Sequence, residues 1–123
     1  MLEAQKVMAF VATRDGRRAR EFYEGTLGLQ VVSDDDYALA LDARGTQIRI
    51  QKVKLFTPHP FTALGWEVSS IDETVEALRA RGVTFEMFLG MNQDEQGIWQ
   101  APSGARVAWF KDPDGNVLSL TQL

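Results

Sequence analysis

The 123-residue chain contains no cysteine. That excludes disulfides, thiolate metal sites and a cysteine nucleophile. There is one histidine, His59, and it lies between two prolines. A cluster of histidine ligands is therefore excluded too. No apolar run approaches the roughly 20 residues needed to cross a bilayer as a helix. The N-terminus lacks a charged-then-apolar signal pattern. Basic residues are outnumbered, 13 Lys and Arg against 17 Asp and Glu, for a net charge of −4. That balance argues against nucleic acid as the partner. Together these absences predict a soluble, cytoplasmic protein with no membrane partner. No catalytic triad or phosphate-binding glycine loop is visible.

What remains is ordinary globular composition, 45% hydrophobic and 24% charged, in a length that suits one domain. Val7–Ala12 is short and apolar throughout, which predicts a strand covered on both faces. Asp15 offers a helix N-cap. Ala19, Phe22, Tyr23 and Leu27 follow at helical spacing, and Gly28 ends that helix. Strands are expected at Leu29–Val32, Tyr37–Leu41 and Thr46–Val53, with turns at Asp34–Asp36 and Arg44–Gly45. The helix carries basic residues at its start, yet Arg17 and Arg20 can pair with Glu21 and Glu24 at i,i+4.

Thr57-Pro58-His59-Pro60 breaks the pattern, and the same order then begins again. Ala63–Val68 predicts a strand. Ser70 and Glu73 form a capping box. Ile71, Val75 and Leu78 make an apolar stripe ending at Arg81-Gly82. Val83–Phe88 predicts another strand, and Ala105–Leu120 a hairpin. The turn Asp112-Pro113-Asp114-Gly115-Asn116 has its chemistry written out: proline presets φ, glycine takes the left-handed conformation, and Asp and Asn bond nearby backbone. The repeat predicts an α+β fold of two βαβββ modules, about 4–54 and 62–123, joined by a linker at about 55–61. One helix covers only one face of such a module's sheet. Pairing the modules predicts a curved mixed sheet around a cleft for a small-molecule ligand.

Phe22-Tyr23 with Leu27-Gly28-Leu29, together with Trp109-Phe110-Lys111-Asp112-Pro113-Asp114-Gly115-Asn116, resembles the vicinal oxygen chelate superfamily. Its members include glyoxalase-type lyases, extradiol dioxygenases and bleomycin-resistance proteins. The resemblance implies paired modules, a homodimer, and a cleft that often holds a divalent metal. The metal-dependent members place His or Glu at four strand positions, which match Met8, Gln51, Ala63 and Ser119 here. None of these four is a good ligand for a hard divalent ion. No metal and no cofactor are therefore expected.

The candidate ligand-binding residues are Met8, Phe10, Arg49, Gln51, Glu67, Trp99, Trp109 and Ser119. Trp66 and Trp109 either fill the core or face the ligand. Trp99 lies in Leu89–Gly104, a long aperiodic stretch of the kind that forms lids and binding loops. Glu67 alternates with Gly65 and Ala63 on one strand face. It is either a cleft carboxylate serving as acid, base or cation site, or an ion-pair partner of Arg49 or Arg106. Arg49 could hold an anionic group in a bidentate grip. The expected function is metal-independent binding of an organic ligand, in the manner of the bleomycin-resistance type. The alternative is a glyoxalase-like lyase or a dioxygenase, with a divalent metal or with Glu67 as acid/base.

Overall fold

A computed structural model describes all residues from Met1 to Leu123. The chain divides into two compact units, Met1–Thr57 and Pro58–Leu123. Each holds one four-stranded mixed sheet and one helix, so the fold is α+β.

In the first unit β1 spans Met8–Thr13, α1 Gly16–Arg20, β2 Gln30–Asp34, β3 Ala38–Ala43 and β4 Thr46–Lys52. The sheet order is β1-β4-β3-β2, with β1 and β4 parallel and the other pairs antiparallel. Asp15 caps α1 as expected, its carboxylate accepting from the Arg18 N–H at 3.2 Å. The helix does not continue regularly. Glu21–Thr26 is a π-helical turn, closed by the Leu27 N–H on the Phe22 carbonyl at 2.9 Å. The wider turn still buries Tyr23, as α1 buries Ala19. Gly28 then reverses the chain at φ +76°. Arg44 and Gly45 both take positive φ between β3 and β4, the two-residue hairpin turn that matches strand twist. The i,i+4 pairs form: Arg20 Nε meets Glu24 at 3.0 Å and Arg17 meets Glu21 at 3.9 Å.

Residues of alternate parity fill the core. Val11, Thr13, Leu39, Leu41, Ile48 and Ile50 are buried on the helix side. The expectation that β1 is covered on both faces is corrected here. Met8 and Phe10 point to the face that carries no helix and remain 45% and 52% exposed.

In the second unit β5 spans Thr62–Glu67, α2 Ile71–Ala80, β6 Trp99–Gln100, β7 Arg106–Lys111 and β8 Val117–Gln122. The order β5-β8-β7-β6 repeats the topology of the first sheet, with β5 and β8 parallel. Ser70 Oγ accepts from the Glu73 N–H, and Gln122 Oε1 accepts from the Ile71 N–H at 2.8 Å. Ile71, Val75 and Leu78 face the sheet as their spacing requires.

The strand expected at Val83–Phe88 does not form. Phe85 makes only an isolated bridge to Phe110. The fourth strand is the short β6, taken from within the stretch expected to be loop. A side chain replaces the missing ladder, because the Gln93 amide supplies the hydrogen bonds that a backbone would. The β7–β8 turn follows its chemistry. Gly115 sits at φ +93°. The buried Asp112 carboxylate accepts from the Asp114 N–H, the Asn116 N–H and Asn116 Nδ2 at 2.8–2.9 Å.

Candidate functional site

Each sheet has one face without a helix, and strand parity fixes which side chains stand on it. On the first sheet, Met8 pairs with Gln47, Phe10 with Arg49 and Ala12 with Gln51. All six stand on the open side, opposite the buried Ile48 and Ile50. Met8, Phe10, Arg49 and Gln51 therefore share a face. Gln47 joins them and accepts from Arg49 Nη1 at 3.4 Å.

On the second sheet, Gly65, Ser119 and Trp109 form one row across β5, β8 and β7. Glu67, Thr121, Val107 and Trp99 form the next. The four expected residues Glu67, Trp99, Trp109 and Ser119 thus stand on one open face. Ser119 is 7% exposed. Its hydroxyl lies where a Cβ on residue 65 would be, so the glycine gives it room. Glu67 is exposed. The expected pairing of Glu67 with Arg106 is not found. Arg106 is on the helix side of the sheet and grips Asp72 through both guanidinium ends, at 2.7 and 3.0 Å. That grip holds the Asp72 carboxyl below its ordinary range.

Trp109 is the centre of this face. Its indole N–H donates to Thr62 Oγ1 at 3.1 Å, which fixes the ring. Phe88 meets it edge-on at 5.4 Å, and Trp99 lies beside it at 6.2 Å with the rings tilted by 35°. Pro60, Phe61, Thr62, Phe88, Met91, Trp109 and Val117 enclose an open cavity of about 250 Å³. Phe61 carries His59 stacked on its outer side at 5.0 Å. Lys111, at the end of the same face, is paired with Glu86 at 3.6 Å. Trp66, by contrast, shares the parity of Leu64 on the helix side.

Sequence reasoning missed Phe61, Phe88 and Met91. Phe61 lies in the segment taken for linker. Phe88 was placed in a strand that does not form. Met91 sits in an aperiodic stretch, where no pattern assigns a side chain to a face. The signal available was the supply of apolar residues in a long loop flanking Trp99.

The donor set does not fit a divalent metal. Met8 pairs with Gln47 while Gln51 pairs with Ala12. Met8 and Gln51 are therefore four rungs apart, about 13 Å along the strands. Ala63 lies in an irregular stretch of β5 and has no donor, and the Ser119 hydroxyl is directed at Gly65. Nowhere do three His, Cys, Asp or Glu side chains come together to hold an ion. No helix is long and apolar enough to cross a membrane.

Comparison with known folds agrees with this architecture. A glyoxalase/bleomycin resistance protein/dioxygenase superfamily member from Sphaerobacter thermophilus DSM 20745 is 27% identical, with all of both chains covered and a TM-score of 0.78. Lactoylglutathione lyase from Agrobacterium tumefaciens shares the fold at 13% identity, covering 97% of this chain and 93% of its own, with a TM-score of 0.76. A glyoxalase family protein from Enterococcus faecalis does so at 20% identity, 98% and 99% coverage and a TM-score of 0.71. No curated protein matches. The profile of the Glyoxalase/Bleomycin resistance protein/Dioxygenase superfamily matches residues 7–120. The chain therefore belongs to the glyoxalase/bleomycin resistance protein/dioxygenase superfamily.

Proposed function

We propose that this chain is a small-molecule-binding protein that acts without a metal and holds a flat organic ligand against the open face of its second unit. The observation that carries the reading is the fixed Trp109 indole at the wall of an apolar cavity. Its N–H is already satisfied by Thr62, so the ring offers a surface for stacking rather than a hydrogen bond. Phe61, Phe88, Met91 and Val117 supply the remaining apolar walls. A cavity of about 250 Å³ suits a compact ring system. Aromatic stacking contributes about 0.5–1.5 kcal/mol per pair beyond area burial. Trp99, Ser119 and Glu67 belong to the same surface. On the first unit, taken by itself, Met8, Phe10, Arg49 and Gln51 are the candidate binding residues in this reading. A homodimer is part of the same proposal, and sedimentation velocity tests it: a monomer at micromolar concentration removes that part.

The enzyme alternative has less support. Glu67 is exposed, without the water-excluded surroundings in which a carboxylate works well as a base. Metal chemistry lacks its donors. Elemental analysis of chain purified without chelator is expected to find no stoichiometric divalent ion. Finding one removes the metal-independent part of the reading.

The binding test uses N-phenyl-1-naphthylamine, a neutral planar fluorophore. Saturable quenching of tryptophan emission is expected, with dye emission rising in parallel. Trp109→Ala should weaken the dye by tenfold or more. Absence of saturable binding, or equal affinity in Trp109→Ala, refutes the assignment.

A further inference from the structure

The segment from Glu86 to Ile98 carries Phe88 and Met91 into the aromatic cavity and leads directly to Trp99. It forms no strand of its own. One side chain fastens it. Gln93 Oε1 accepts from the Phe88 N–H at 2.7 Å. Gln93 Nε2 donates to the Glu86 carbonyl at 2.9 Å and to the Gly97 carbonyl at 2.8 Å. The Gln93 backbone also bridges to Trp99. The amide thus uses one acceptor and both donors on three points of the segment's own backbone, where a fourth full-length strand would have used a neighbour's peptide groups.

Few other contacts could substitute. The Glu86 N–H reaches the Trp109 carbonyl at 2.8 Å, which anchors the segment's start. Asp94 accepts from the Gln96 and Ile98 N–H groups at 2.9 Å, which shapes the turn before Trp99. Between these, the Met91 N–H reaches the Phe88 carbonyl at 3.2 Å and the Gln93 N–H the Met91 carbonyl at 2.9 Å, which shape the turn locally; the Gln93 amide is the side chain that ties this turn to Glu86 and Gly97. Gly97, at φ +87°, packs its Cα against the Phe85 side chain, where a Cβ would come within 3.3 Å. That glycine lets the backbone close around the amide.

We propose that Gln93 is the positioning residue of the aromatic site: it sets the distance of Phe88 and Met91 from Trp109 and the tilt of Trp99. It touches no ligand itself. The inference rests on the binding reading above for its function, and on the three hydrogen bonds for its geometry.

The test separates the two. Coupled indoles at 6.2 Å produce an exciton signal in far-ultraviolet circular dichroism, and this needs no ligand. Gln93→Leu should lose most of that signal and bind N-phenyl-1-naphthylamine tenfold or more weakly, with a lowered thermal midpoint that still leaves the chain folded at the assay temperature. Gln100→Leu, which alters an exposed neighbour outside the clamp, should change neither readout. A Gln93→Leu protein that keeps both the exciton signal and the dye affinity overturns the inference. Should that variant fail to fold, hydrogen exchange on the unaltered chain decides. The Phe88 amide should be protected at least tenfold more than the exposed amides of Gly90 and Glu95, and equal exchange overturns the clamp. A wild-type chain that shows the exciton signal and the protected Phe88 amide but binds no dye refutes the binding reading alone.

Discussion

Replacing Gly65 by alanine probes the closest approach on the open face of the second sheet. The new methyl would collide with Ser119 Oγ, while the Ser119 carbonyl oxygen at 3.4 Å and Cβ at 3.7 Å remain ordinary contacts. The conflict is therefore with one atom. Overpacking of this kind costs about 1–3 kcal/mol. Against it stands a gain of about 0.4–1 kcal/mol from restricting the unfolded chain, since Gly65 has no positive φ. The net expectation for Gly65→Ala is a loss between about zero and 2.6 kcal/mol. Removing the hydroxyl first should abolish the conflict. In a Ser119→Ala background, Gly65→Ala should be neutral or slightly stabilising. The four proteins of this cycle, compared by urea denaturation, should give a coupling of about 1–3 kcal/mol, a size typical of residues in direct contact. Each kcal/mol corresponds to about 3–5 °C in thermal midpoint for a chain of this length. Equal costs for Gly65→Ala in both backgrounds refute the reasoning, because the clash would then not be with the hydroxyl.

Three further outcomes follow from the geometry. Asp112→Ala strands two buried backbone N–H groups and an amide N–H in the β7–β8 turn, and should cost about 2–4 kcal/mol in urea denaturation; a loss below 1 kcal/mol contradicts the turn's role. Asp34 accepts from Lys52 Nζ at 2.5 Å and Arg20 Nη1 at 3.1 Å, and Lys52 foremost holds its carboxyl below the ordinary value. A depressed folded pKa stabilises above the unfolded value of about 3.9 and loses that stability as pH falls through the folded one. Thermal midpoints should therefore fall more steeply below about pH 4 in the wild type than in Asp34→Asn, and parallel curves would count against the pair. Arg106→Leu frees Asp72 and should weaken the seat of α2 on β7, seen as faster hydrogen exchange across Ile71–Ala80; unchanged exchange there shows that the grip is only a surface pair.

The parts of the fold legible in the sequence were those governed by local chemistry. Asp15 and Ser70 as caps, Arg44-Gly45 and Asp112–Asn116 as turns, and the alternation of Ile48 and Ile50 all act within a few residues. The misreadings arose where distant groups decide. Val83–Phe88 has the composition of a strand, yet it meets β7 only through the Phe85 bridge to Phe110 and the Glu86 N–H on the Trp109 carbonyl, while the ladder to β7 at Arg106 and Val107 is made by β6. The π-turn at Glu21–Thr26 keeps the apolar spacing of an α-helix closely enough that periodicity does not separate the two. Val7–Ala12 is apolar on both sides, but composition does not say whether anything covers the second side. For the site, parity put Glu67 on one strand face with Gly65 and Ala63, but it left Trp109 open between core and ligand, and Ser119 came from the family resemblance alone. The alternative of an ion pair between Glu67 and Arg106 overlooked that β7 turns Arg106 to the helix side, where it bonds Asp72.

The two sheets share one topology and carry different chemistry on the corresponding rows. In the first, the row through β1, β4 and β3 is Phe10, Arg49 and Ala40. In the second, the row through β5, β8 and β7 is Gly65, Ser119 and Trp109. The bulky apolar group has moved from the edge strand β1 to the inner strand β7. An aromatic ring on an edge strand has neighbours on one side only, which matches the 52% exposure of Phe10. An indole on an inner strand is flanked on both sides: Thr62 on β5 holds its N–H, while Phe88 and Trp99 stand against its ring. The glycine and serine beside it keep the floor low, so the indole stands above its row as a wall. A fixed ring loses little entropy when a ligand stacks on it. The first face presents an exposed ring and a guanidinium instead. That difference in preorganisation is the reason for locating the principal binding energy on the second unit. It also orders the expected losses: Trp109→Ala should weaken the naphthylamine dye more than Phe10→Ala, and the reverse order would move the site.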